Sequence, residues 1–263
     1  MKQKLLIPAL AVAGGAAAFA LRLMQNSTGF EADTGLAVTG NFAGTALPIL
    51  LVLLAAAAIL LARKLPKTVE KSLSFPAAFP AAEATDLLLP VAGVLLMALS
   101  GAADAAMALD ILPGALFPAN IHLLLALVTL VSAGGLFLGA AACRQGRHQE
   151  GEFKAVSLLP VTVMLVVRLV LTYRTVSTDP TLEAYYVELL AVVFLTLGFF
   201  RLSGFAFDDA RPRRFAVSSV MAVAFSMAAI ADRSRLLLSS LALYVGGALV
   251  LLGFLVLYTG KDE

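Results

Sequence analysis

The sequence predicts an all-α, polytopic integral membrane protein with eight transmembrane helices. Of its 263 residues 60% are apolar and only 14% charged, whereas soluble domains carry about 45–50% and about 25%. The apolar residues fall into eight runs, each near the roughly 20 residues needed to cross the hydrocarbon core. Basic residues are concentrated in alternate connections between those runs, as the retention of Lys and Arg on one side of a membrane requires.

The runs lie at residues 5 to 24, 43 to 63, 87 to 108, 117 to 143, 154 to 174, 184 to 204, 213 to 231 and 235 to 258. Helices are expected because hydrocarbon offers the backbone no hydrogen-bond partner, and the alternation of a membrane barrel strand is absent. The first run follows a basic start, Met1 to Lys4, and contains Ala18-Phe19-Ala20, a passable cleavage site. It therefore reads either as a span or as a signal peptide whose removal would leave seven spans. Pro8, Pro48 and Pro90 sit in first turns, where a missing N–H costs little; Pro160 is the proline placed deep enough to kink a span. Gly135 and Gly139 have GxxxG spacing, and Gly14-Gly15 precede three alanines, so both sites suit close helix packing within the chain. The long connection from Leu65 to Asp86, with Phe75-Pro76 and Phe79-Pro80, reads as a linker or as a segment lying on the inner membrane surface.

One set of loops and ends holds 14 of the 19 basic residues, among them Lys2, Lys4, Arg63, Lys64, Arg144, Arg147, Arg201, Arg211, Arg213 and Arg214. The opposite loops hold Arg22, Arg174, Arg233 and Arg235, together with Glu31, Asp33, Asp110, Asp179 and Glu183. This bias predicts a cell-membrane protein with both termini in the cytoplasm. The net charge of +2 is dispersed, which does not suit a nucleic-acid partner.

The domain organisation expected is one membrane domain over residues 1–263, divisible into four-helix halves at 1–143 and 144–263. Landmarks recur in order between them. Arg22 near the end of the first span corresponds to Arg168 in the fifth, and Ser100…Asp104 in the third to Ser226…Asp232 in the seventh. Leu123 to Leu125 and Gly134-Gly135 correspond to Leu236 to Leu238 and Gly246-Gly247. With an even number of spans in each half, a 4+4 repeat would be parallel, around an axis along the membrane normal.

Charged groups inside spans cost about 2.5–3.5 kcal/mol on insertion scales and so require partners, water or a route to the interface. Here Arg22, Asp104, His122, Arg168, Glu188 and Asp232 all fall within about two turns of the outer surface. They are the candidate ligand-binding residues of an outer polar vestibule. Its two guanidiniums would offer forks to an anionic solute, with Tyr173, Tyr185, Tyr186 and Asn120 adding hydrogen bonds. The plain reading is that Arg22 and Arg168 snorkel, the tyrosines form an interfacial belt, Asp104 and Asp232 end helices, and His122 packs. An ion pair between Arg168 and Glu188 on the adjacent fifth and sixth spans would neutralise both.

No H-E-x-x-H, G-x-S-x-G, Walker loop or G-x-G-x-x-G is present, and the sequence calls for no catalytic residue, metal or cofactor. A lone cysteine, Cys143, excludes an intramolecular disulfide. The expected function is binding or transport of a small solute. The alternative is a non-transporting accessory subunit or sensor that packs against another membrane protein; an enzyme using Glu188 or His122 as a base ranks below both.

Overall fold

The computed structural model describes residues 5–31, 33–68, 75–145, 155–177, 185–207, 209–233 and 236–260. Nine α-helices are described: α1 (Leu6–Thr28), α2 (Phe42–Ala62), a short α3 (Phe75–Ala78), α4 (Leu88–Ala108), α5 (Ala119–Gln145), α6 (Leu159–Val176), α7 (Tyr186–Ser203), α8 (Pro212–Ile230) and α9 (Leu238–Gly260). All except α3 are long and apolar enough to cross a membrane, which makes this an eight-span helical protein. Among the described residues the β-structure amounts to one antiparallel bridge, Phe30 to Ala37, in the connection after α1.

The helix ends follow local chemistry. Asn41 caps α2, its Oδ1 accepting from the Gly44 N–H at 3.0 Å, and so satisfies one of the first-turn donors. The first helix runs to Thr28, a turn beyond its expected end, and carries Gln25 and Asn26 within it. Two proline expectations exchange places. Residues 155–158 form a 3-10 turn, so Pro160 falls at the first positions of α6, whereas Pro48 lies inside α2 because that helix already begins at Phe42.

Helices α4 to α9 form a closed ring in which each touches the next and α9 returns to α4; α1 packs on α8, and α2 on α1 and α8. Within an 18-residue apolar stretch of each helix, buried residues make up 72% in α8 and 67% in α9 but 28% in α2. The last two helices are therefore the centre and α2 a lipid-facing edge. In a bilayer, helices associate through close packing and polar contacts, not through exclusion of apolar surface from water. The α4–α9 interface, the most extensive in the molecule, has both. A Cβ built on Gly93 would stand 2.5 Å from the Gly246 carbonyl oxygen, and one on Gly246 2.7 Å from that of Gly93. Ser100 Oγ donates to the Ser239 carbonyl at 2.7 Å across the same seam. Gly135 lies against the Ser157 carbonyl, an intrachain use of the GxxxG spacing.

Within the Leu65–Asp86 connection, residues 75–86 are neither a plain linker nor a surface strap, and residues 69–74 lie outside the described residues. Helix α3 carries Phe75 into the bundle, and Phe79 is 0% exposed. The Phe79 ring meets those of Phe75, Phe205, Phe215, Phe254 and Tyr258 at centroid distances of 4.9 to 6.0 Å. This aromatic plug sits at the end of the bundle where Arg63, Lys64, Arg144, Arg201 and Arg211 to Arg214 lie, called here the basic end. Arg213 Nε pins the chain on that side, donating to the Leu65 carbonyl at 2.6 Å.

Candidate functional site

All six residues singled out from the sequence gather at the opposite, polar end of the bundle, in two buried ion pairs, a histidine on one of them and a linked carboxylate. Arg22 is one and a half turns from the end of α1 and wholly buried. Its Nε lies 3.0 Å from both Asp232 oxygens, its Nη2 3.0 Å from Oδ2, and its Nη1 donates to Gln25 Oε1 at 2.9 Å. Phe30 and Tyr186 stand beside the guanidinium, their ring centroids 5.7 and 5.6 Å from Cζ. Asn26 Nδ2 adds a bond to Asp232 Oδ1 at 2.6 Å. Arg22 therefore does not snorkel to the headgroups; a carboxylate just past the end of α8 comes to it.

The second pair joins Arg168 of α6 to Asp104 of α4, through Nη2 and Oδ2. This replaces the expected partnership of Arg168 with Glu188. Adjacency in sequence favoured α7, but the ring geometry brings Asp104 to the guanidinium. His122 at the start of α5 completes the group: Nδ1 is 3.3 Å from Asp104 Oδ1, and the Phe117 N–H donates to Nε2 at 3.4 Å. An acceptor role for Nε2 assigns the proton to Nδ1, which then donates to Asp104. Both ring nitrogens are engaged.

Glu188, in the first turn of α7, accepts a hydrogen bond from Tyr244 Oη at 2.9 Å and makes no ion pair among the described residues. One turn before Tyr244 on α9, Ser240 Oγ receives Arg168 Nη1 at 3.5 Å. Residues four apart share a helix face. Glu188, Tyr244, Ser240, Arg168, Asp104 and His122 therefore form one polar line across α7, α9, α6, α4 and α5. Arg168 Nε is buried with no partner of its own among the described residues. Of the supporting residues named from the sequence, Tyr186 joins the site, whereas Tyr173 is 57% exposed and Asn120 is exposed.

Beside the Arg22 pair, a cleft of about 500 Å³ opens between the end of α1, the connection to α2 and the start of α7, lined by Gln25, Gly29, Thr39, Asn41, Gly44, Tyr186 and neighbours. None of the six charged or histidine candidates lines it. Arg22 reaches it at one remove. By donating to Gln25 Oε1 it fixes the orientation of the Gln25 amide, so that Nε2 faces Gly44, whose Cβ position would be 3.5 Å away.

Sequence reasoning missed Gln25, Asn26, Ser240 and Tyr244. Gln25 was discoverable, because it lies three residues after Arg22 and hence on its face. Tyr244 sits in an unbroken apolar run, where nothing local separates a site residue from a packing one. Among the described residues no group of three or more His, Cys, Asp or Glu side chains is placed to hold a metal ion. The chain matches no protein-family model, no curated protein and no solved structure.

Proposed function

We propose that this protein binds a small polar solute at its polar end and carries it across the cell membrane. In this reading the polar end faces outward and both termini lie in the cytoplasm, following the basic-residue bias. The observation that carries the proposal is the cleft of about 500 Å³ whose wall residue Gln25 is held by the buried Arg22–Asp232 pair. Intramembrane ionisable groups are costly and commonly mark solute or ion pathways. A buried ion pair bonded to the wall residue Gln25 supports that use.

The charges also refine the expected solute. Both guanidiniums are already matched by carboxylates, and the cleft wall carries no charged side chain. An uncharged polar solute suits this lining better than an anion.

A parallel 4+4 duplication belongs to the same reading. Arg22 of the first half reaches Asp232 of the second, and Arg168 of the second reaches Asp104 of the first. Corresponding residues thus pair reciprocally across the two halves. The packing is less symmetric than the pairing, since α4 and α9 share the largest interface while α8 and α5 share none of comparable size.

The test is a thermal-shift screen of detergent-purified protein against pooled uncharged and anionic metabolites, with Gly44→Leu alongside to fill the cleft. A ligand at about 100 times its dissociation constant should stabilise the wild type by about 2.7 kcal/mol and leave Gly44→Leu unmoved. Equal stabilisation of both would overturn the cleft as the site. Silence across the screen with a stoichiometric co-purifying protein would favour an accessory subunit.

A further inference from the structure

We infer that Glu188 is a proton-exchange site, the position at which this protein takes up and releases H⁺ from the polar end. The inference goes beyond the solute reading and does not depend on it.

It rests first on charge balance. Among the described residues the polar cluster holds two guanidiniums, Arg22 and Arg168, and three carboxyls, Asp104, Asp232 and Glu188. Each guanidinium is paired with one aspartate, and His122 shares Asp104 with Arg168. Glu188 is the carboxyl left over. Among apolar helices an uncompensated charge is strongly disfavoured, and a proton on Glu188 removes that charge.

The second argument is the geometry of the carboxyl. Tyr244 Oη, on a side chain 0% exposed, donates to Oε1, and Oε2 has no hydrogen-bond partner among the described residues. Oε1 is thus held as an acceptor while Oε2 is open to carry the proton. Glu188 is half-buried in the first turn of α7, at the end of its span, so a proton entering from the polar end need not cross the bundle to reach it.

The third argument concerns neighbours. Of the helices packed against α7, α6 contributes Arg168, the end of α8 contributes Asp232 and α9 contributes Tyr244; the first two lie within electrostatic reach of Glu188. Tyr185 and Tyr186 flank it on its own helix. Loss of the proton would therefore place a negative charge near Arg168, in competition with Asp104, and another beside Asp232. The polar line through Tyr244 and Ser240 would carry the change to the pair that ties α6 to α4.

Dicyclohexylcarbodiimide, an apolar reagent that partitions into bilayers, tests this on the full chain in proteoliposomes without any solute. It reacts with a protonated carboxyl. The acid proton passes to a carbodiimide nitrogen, the carboxylate oxygen bonds to the central carbon, and the O-acylisourea rearranges to a stable N-acylurea. Peptide mapping should place the adduct on Glu188 and not on Asp104 or Asp232. Labelling should fall about tenfold per pH unit once the proton is lost. Glu188→Gln should abolish the adduct and Glu188→Asp retain it. Absence of a Glu188 adduct in the wild type at every pH, or labelling that favours the paired aspartates, would overturn the inference. Because the wild-type map decides the matter, a variant that fails to fold leaves the test intact.

Discussion

Replacing Asp232 with alanine removes the carboxylate from a guanidinium that has no exposed surface. Three contacts of 3.0 Å disappear together. Breaking a buried pair from one side costs about 3–5 kcal/mol, because the remaining charge stays desolvated. Arg22 would retain its bond to Gln25 at 2.9 Å and the rings of Phe30 and Tyr186. Cation–π contacts of this kind contribute about 0.5–2 kcal/mol, which places the expected loss near the lower bound, about 3 kcal/mol. The partner experiment replaces both charges by apolar side chains, Arg22→Met with Asp232→Leu. Such exchanges are typically neutral or stabilising, so the double variant should recover most of what Asp232→Ala loses. Equilibrium unfolding in mixed micelles, followed by helix circular dichroism, compares the wild type, Asp232→Ala and the double variant on one scale. A double variant as unstable as Asp232→Ala would refute the claim that an orphaned charge, and not lost packing, sets the cost.

Three further outcomes are expected. Phe79→Ala, at the centre of five aromatic contacts, should lower stability by about 3–5 kcal/mol and make the buried thiol of Cys143 reactive to maleimide. An unreactive thiol would dissociate the plug from closure of the basic end. Gly93→Ala should destabilise by about 1–3 kcal/mol, because its Cβ would meet the Gly246 carbonyl at 2.5 Å, whereas Gly134→Ala, with nothing within 4 Å, should be neutral or stabilising; the same unfolding assay separates them. In a Cys143→Ala background, Thr39→Cys should label with an impermeant maleimide on intact cells. Labelling only after permeabilisation would invert the orientation.

The pairing of charges and the plug at the basic end show where local pattern stops being informative. Both helices flanking Glu188 in the chain were visible, yet its hydrogen-bond partner came from α9, 56 residues away. Phe79 followed by Pro80 reads as a linker until α8, α9 and the turn after α7 supply the rings around it.

The pattern of apolar runs by itself determined that this chain is a bundle of eight membrane helices, with the ionisable groups inside its spans near one end. The bilayer imposes both results locally: each segment must satisfy its own backbone in hydrocarbon, and each charge must lie near water or a partner. Tertiary structure alone decided that Arg22 joins Asp232, that Arg168 joins Asp104 instead of Glu188, and that Gln25 and Tyr186 border the cleft. The physical reason is that these spans are apolar on nearly every side, so no periodicity marks which face meets which neighbour. That choice falls to close backbone approaches such as Gly93 against Gly246 and to polar contacts between helices distant in sequence.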